Sequence, residues 1–200
     1  MILTMLRSYL KQVCHTESGA AAVEFAIAAP LLVLLFAGFM EFANLLYQQQ
    51  QLEKSVRDAA RYLSYYSSSN WGSSPGTLSC SGSNPSTYAD AAENMVLYGS
   101  TCPGSNPIVT GMTSVACSAG PTTTVCGQVT ITSGSTSVTA PQGTTSGGSC
   151  SMTIPTVTVS VSTPYSDVIG LLSLLGMSNF TLATSHEERV LSSNAVESCT

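Results

Sequence analysis

Between Phe25 and Met40 the chain carries no charged residue, and extending the run back to Ala20 adds only Glu24. A helix rises about 1.5 Å per residue, so some 20 residues cross the roughly 30 Å hydrocarbon core of a bilayer. The stretch therefore predicts a transmembrane helix. Pro30 lies inside it and removes one backbone donor, which predicts a kink that a membrane helix tolerates. Glu24 is the exception to the apolar pattern. A carboxylate several residues into such a segment costs on the order of 2.5–3.5 kcal/mol on insertion scales, so it either meets a partner or reaches back to the headgroups.

Beyond Met40 the helical period continues with lower hydrophobicity. Phe42, Leu45, Leu52, Val56, Ala59 and Leu63 recur at spacings of three, four and seven, with Gln48 to Gln51, Glu53, Lys54, Arg57, Asp58 and Arg61 filling much of the rest. One helix is expected to leave the membrane and run on for several turns. Glu53 and Arg57, with Lys54 and Asp58 beside them, are spaced as i,i+4 pairs on a solvated face. The helix is expected to end near Tyr66, where Ser67 to Gly72 supply turn-forming residues.

The remainder of the chain is Ser-, Thr- and Gly-rich, and only 8% of the 200 residues are charged, with a net charge of −5. Such a surface lacks the basic stripe that phosphate neutralisation needs, which argues against nucleic acid as a partner. The seven cysteines divide unevenly. Cys14 precedes the apolar run, whereas Cys80, Cys102, Cys117, Cys126, Cys150 and Cys199 come after it. Six on one side fit an oxidising compartment and up to three disulfides, whose pairing is open at this level. The spacings lack CxxC and are not paired with histidine, so no metal site is expected. Arg7 and Lys11 before the apolar run are balanced by Lys54, Arg57 and Arg61 after it. Orientation therefore rests on the cysteines, which place the C-terminal part outside the cytoplasm.

The leader, residues 1–19, is short and weakly basic, and its apolar core comes after Gly19 where a secretory signal would place it before the cleavage site. Gly19 followed by Ala20-Ala21-Ala22-Val23-Glu24-Phe25 resembles a type IV prepilin processing site. In that family the peptidase cuts after the glycine, and a glutamate is the fifth residue of the mature chain. The wider stretch is closer still to the TadE-like family, minor pseudopilins of tight-adherence (Tad, or Flp) pilus systems. The likeness rests on the Gly-Ala-Ala-Ala-Val-Glu-Phe start, the Pro30-Leu31-Leu32 run, Glu41-Phe42, and Ala59-Ala60-Arg61-Tyr62. The resemblance implies cleavage between Gly19 and Ala20 by a prepilin peptidase. It also implies a role for Glu24 in compensating the freed α-amine of its own or a neighbouring helix during assembly. Glu17 makes this leader less basic before the cut than the family's usual pattern.

Residues 20–66 are thus expected to form the membrane and amphipathic helix, and 67–200 a disulfide-stapled α+β domain. Within that domain, Ser67 to Pro85 reads as a loop held by one bridge. Ser86 or Thr87 caps a helix from Tyr88 to Tyr98, with Gly99 past its end and Tyr88, Ala91, Ala92, Met95 and Tyr98 as its buried face. Ser100 to Gly120 is a further loop. Alternation of Val125, Gly127, Val129 and Ile131 predicts one half-buried strand, and Ser133 to Ser151 reads as a polar tract, either a long hairpin loop or partly disordered, tethered at its far end by Cys150. Thr156 to Thr163 is the clearest strand, with Val157, Val159 and Val161 on one face and Pro164 as its stop. Val168 to Met177, VIGLLSLLGM, is too short to span a bilayer and packs under the sheet or lies against the membrane. Phe180 to Ser185 is a third strand with Phe180, Leu182 and Thr184 on one face, and a tail from His186 ends with Cys199.

No arrangement of residues suggests catalysis. His186-Glu187-Glu188 lacks the HExxH spacing and reads as an exposed strand end, and His15 beside Cys14 lies in the leader. No Gly-x-Ser-x-Gly elbow or phosphate-binding glycine loop occurs. The expectation is a non-enzymatic protein without cofactor. It is read as a single-pass protein of a bacterial inner membrane with its C-terminal domain periplasmic or extracellular. Its partners would be the bilayer, the prepilin peptidase, other pilin-like subunits and the Tad secretion machinery. The small residues Ala37 and Gly38 would permit close helix approach. The alternative is a signal-anchored adhesin or receptor with a Ser/Thr-rich binding domain, which would leave Gly19 uncut.

Overall fold

The computed structural model describes residues 17–76, 78–81, 83–120, 122–141, 149–166, 168, 170, 173, 176, 180–191 and 196–199. It has a long helix α1 (Glu17–Ser64), a 3-10 turn (Ser68–Asn70), a second helix α2 (Tyr88–Tyr98) and six strands. These are β1 (Ser118–Ala119), β2 (Thr123–Cys126), β3 (Val129–Pro141), β4 (Ser149–Pro164), β5 (Thr181–Arg189) and β6 (Val196–Cys199). The leader residues before Glu17, including Cys14 and His15, lie outside the described residues.

Two compact units divide the chain. The first comprises α1 up to Asn44 together with Asp167–Gly176. Helix α1 continues through Pro30, and in this unit its apolar side chains, among them Phe25, Ile27, Phe36 and Phe39, are exposed. That is the arrangement of a helix whose solvent is lipid. Phe42, assigned to the buried stripe from its spacing, is also exposed, whereas its neighbour Glu41 is buried. The stripe turns by one residue because it is the Glu41 carboxylate that finds a donor inside the unit, the Val168 amide.

The second unit runs from Leu45 to Ser166 and resumes at Met177. Leu52, Val56, Ala59, Ala60 and Leu63 of α1 are fully buried in it, as their helical spacing predicts. The i,i+4 charge pairs are not made: among the described residues the one ion pair within 4 Å is His186–Glu188, and Glu53 instead accepts from Gln49. The end of α1 is closed by the Leu191 amide, which donates to the Ser64 carbonyl at 2.7 Å. Tyr62 and Tyr66 stack with Tyr88, the Tyr66 and Tyr88 centroids 4.0 Å apart, joining the end of α1 to the start of α2.

Helix α2 has the predicted bounds. Thr87 accepts from the Asp90 amide while Asp90 accepts from the Thr87 amide, a reciprocal capping box, and Gly99 closes the helix at φ 70°. Its buried face is rotated from the expected one. Ala91 and Ala92 are buried as expected, together with Ala89, Val96 and Leu97, whereas Tyr88, Met95 and Tyr98 are only half-buried. The tyrosines sit at the margin because their hydroxyls need water or a partner.

The antiparallel sheet has the order β1-β2-β3-β4-β5, and β6 also pairs with β4. Strand β3 holds one edge of β4, while β5 and β6 share the other, meeting Thr156–Pro164 and Cys150–Thr153 respectively. Val157, Val159 and Val161 are buried together, as expected. Two readings are corrected. The single strand through Val125 and Ile131 is a hairpin: Cys126 faces Val129 across Gly127 and Gln128, with Gly127 at φ 57° as a tight primed turn requires. The reversal moves Val125 to the exposed face and buries Cys126, Val129 and Ile131. Ser133 to Ser151 is also not simply a loop. Ser133–Pro141 pairs with Ser149–Val157 in continuous register, because backbone groups can satisfy one another whatever the side chains. Residues 142–148 lie outside the described ones. The third strand likewise runs further than expected, to Arg189, so that His186 and Glu188 lie within β5.

Candidate functional site along the anchor helix

The residues expected to serve processing and assembly lie on the first turns of α1. Gly19 is buried, Ala20 and Glu24 are exposed, and all three stand on one uninterrupted helix. Glu24 is about 1.4 turns beyond Gly19. The small residues Ala37 and Gly38 are half-buried. Sequence marks Glu41 only by its place in the far Glu-Phe pair. The structure gives it a definite environment: it is 3% exposed and accepts from the Val168 amide at 3.1 Å. A carboxylate ending the apolar run just past Met40 is the signal that could have found it, and its donor is 127 residues away.

In the second unit, a pair of carboxylates on α2 fastens the loop beyond it. Asp90 accepts from the Ser86 hydroxyl, from the Thr87 amide at 3.0 Å and from the Cys117 amide at 3.2 Å. Burial pushes its pKa up, but these donors outweigh it and hold the carboxyl below its usual value. Glu93 is 2% exposed. It accepts from the Val115 amide at 2.9 Å and from Ser114 at 3.5 Å, yet burial, with the neighbouring Asp90, raises its pKa to about 7. One turn apart, the two acids are thus driven in opposite directions.

Cys80 is bonded to Cys102 and Cys117 to Cys126. Ligand atoms of Glu93, Cys117 and Cys126 lie within 4.8 Å of one another, but both sulfurs are spent in a disulfide and neither is a thiolate that could bind a metal. Cys150 and Cys199 are backbone partners across β4 and β6. His186 pairs with Glu188 at 3.1 Å, both half-buried on one face of β5. The pair meets no second histidine among the described residues.

The arrangement is that of an anchor and a stapled domain: among the described residues, one apolar helix is long enough to cross a membrane, and the domain with the antiparallel sheet carries two disulfides. No curated protein and no solved structure matches the chain. The matched portion is the helix itself: residues 19–61, from the glycine before the apolar run to the Ala-Ala-Arg stretch, match the model of the TadE-like protein family, so over that helix the chain is similar to the family.

Proposed function

We propose that this protein is a membrane-anchored minor pseudopilin that supports assembly of a Tad-type pilus. The observation that carries the reading is the family match over residues 19–61, which includes Gly19, the apolar run and Glu24 in one helix. In this reading a prepilin peptidase cuts after Gly19, and α1 waits in the inner membrane with the stapled domain on the periplasmic side. The helix then associates laterally with other pilin-like helices. Glu24, exposed on an apolar helix, is costly in hydrocarbon until an α-amine meets it, so the pair favours the assembled state. Ala37 and Gly38 let a neighbouring backbone approach. The sheet domain supplies the contacts that distinguish subunits or the secretion machinery, and no catalytic step is required of it.

The N-terminal residue of membrane-extracted protein, measured by intact mass with and without the host's prepilin peptidase, tests the reading. A start at Ala20 that depends on the peptidase is expected. Gly19→Ala should insert but remain unprocessed, and Glu24→Ala should be processed yet fail in pilus assembly. A start at Met1 in both strains, or normal piliation by both variants, would overturn the proposal and favour a signal-anchored receptor.

A further inference from the structure

The two disulfides differ in what lies against them. A Glu93 oxygen and both sulfurs of Cys117–Cys126 lie within 4.8 Å of one another, whereas among the described residues no carboxylate oxygen comes that close to both Cys80 and Cys102. Access is lopsided. Cys117 is half-buried and Cys126 fully buried, so an external thiol reaches the Cys117 sulfur and expels the Cys126 one. A thiolate released away from water is costly, and the acid beside it is Glu93. The loop also keeps its place without the bridge. The Cys117 amide donates to Asp90 and the Val115 amide to Glu93. The β1–β2 register, Ser118 against Val125, carried one residue further sets Cys117 opposite Cys126. An opened bridge therefore leaves its two sulfurs facing each other, able to close again.

We propose that Cys117–Cys126 is a site of reversible thiol–disulfide exchange with an external dithiol, with Glu93 as its proton donor and acceptor. In the reducing direction a thiolate of the dithiol attacks Cys117 Sγ. A mixed disulfide forms as the Cys117–Cys126 bond breaks, and the electron pair leaves on Cys126 Sγ, which takes the Glu93 proton. The dithiol's second thiol, losing its proton to water, attacks the mixed disulfide. Cys117 leaves as a thiolate and regains a proton from water, so the bridge is reduced to two thiols and the dithiol is oxidised to a disulfide. In reverse, the Glu93 carboxylate takes the Cys126 proton. Burial keeps Glu93 protonated up to about pH 7, below the roughly 8.5 of an ordinary thiol, so the proton passes from carboxyl to thiolate. Asp90 is the charge that faces Glu93, and β2, β3 and residues 113–117 carry no ionisable side chain besides the two cysteines. A cavity of about 260 Å³ lined by Asp90, Glu93 and Ser114 gives the carboxyl a route to recover its proton from water. The proposal depends neither on cleavage nor on pili.

The test uses the full chain with Cys14→Ser, in detergent micelles with a metal chelator. Dithiothreitol is added, samples are quenched with acid and alkylated, and peptide masses follow both bridges in the same molecules. The ratio of the Cys117–Cys126 opening rate to the Cys80–Cys102 rate cancels the reagent's own ionisation. Between about pH 5.5 and about pH 8.5 that ratio is expected to fall at least about ten-fold, as Glu93 loses its proton. In Glu93→Gln, which keeps an acceptor for the Val115 amide but has no proton to give, the ratio should be low and independent of pH. A pH-independent ratio in the native chain overturns the proposal, and so does a native-like profile in Glu93→Gln. If Glu93→Gln does not fold, the native profile and the site of attack decide. With 2-mercaptoethanol as a monothiol probe, the acid-trapped mixed disulfide is expected on Cys117, and its appearance on Cys126 overturns the assignment of Cys126 as the leaving sulfur. After transfer to oxidised dithiothreitol the Cys117–Cys126 link should return, and any other pairing overturns reversibility.

Discussion

At the scale of single residues, the two acids of α2 show how position decides what a carboxylate contributes. Asp90 is surrounded by donors and stays charged, so its contribution is present above its ordinary pKa of 3.8 and is lost as pH falls through the lowered one. Glu93 has the opposite sign. Its folded pKa of about 7 lies above the ordinary 4.5, so between those values the unfolded chain releases a proton that the folded chain keeps. Stability conferred by the protonated form is complete below pH 4.5 and falls as pH rises to about 7, by on the order of 3 kcal/mol at 1.36 kcal/mol per unit. Glu93→Gln keeps an acceptor for the Val115 amide and should flatten that window, which denaturant unfolding at several pH values measures. The environment of Glu93 is not legible in the sequence: nothing local marks it, because the loop that buries it lies more than 20 residues away.

At the scale of elements, α2 is the most legible part of the domain, since its cap and its terminal glycine are local signals. Thr87→Ala removes the acceptor for the Asp90 amide and is expected to cost about 1 kcal/mol in thermal or chemical unfolding. The strands are less legible. Ser133–Pro141 offers no apolar alternation, and its pairing depends on a partner beyond residue 148. The same strand, β4, sets Cys150 opposite Cys199. Antiparallel partners have Cα atoms about 4.5–5.5 Å apart, within the span of a disulfide. A third bridge is therefore expected: the oxidised chain should weigh about six mass units less than the reduced one, with a Cys150–Cys199 link in a non-reducing digest. Free thiols at these two positions would refute it.

At the scale of the whole molecule, the anchor and the stapled domain are held by different physics and should respond to different perturbations. The domain bridges close separations of 22 and 9 residues, each worth roughly 2–4 kcal/mol by loop-closure entropy, the longer one more. Replacing Cys80 and Cys102 by serine should thus lower the melting temperature more than replacing Cys117 and Cys126, while membrane association is unchanged in both. Loss of membrane association on reduction would contradict this division. By itself the sequence determined the anchor, because length and absence of charge set a segment's fate in a bilayer without reference to the rest of the chain. It also determined the cap of α2 and the apolar face of β4, which are local patterns. Only the tertiary structure decided that Glu41 and not Phe42 turns inward, that Gly127 reverses the chain, and that polar Ser133–Pro141 is a strand. Each depends on a donor or a paired strand elsewhere in the chain, and a backbone or carboxylate group removed from water goes where its partner is.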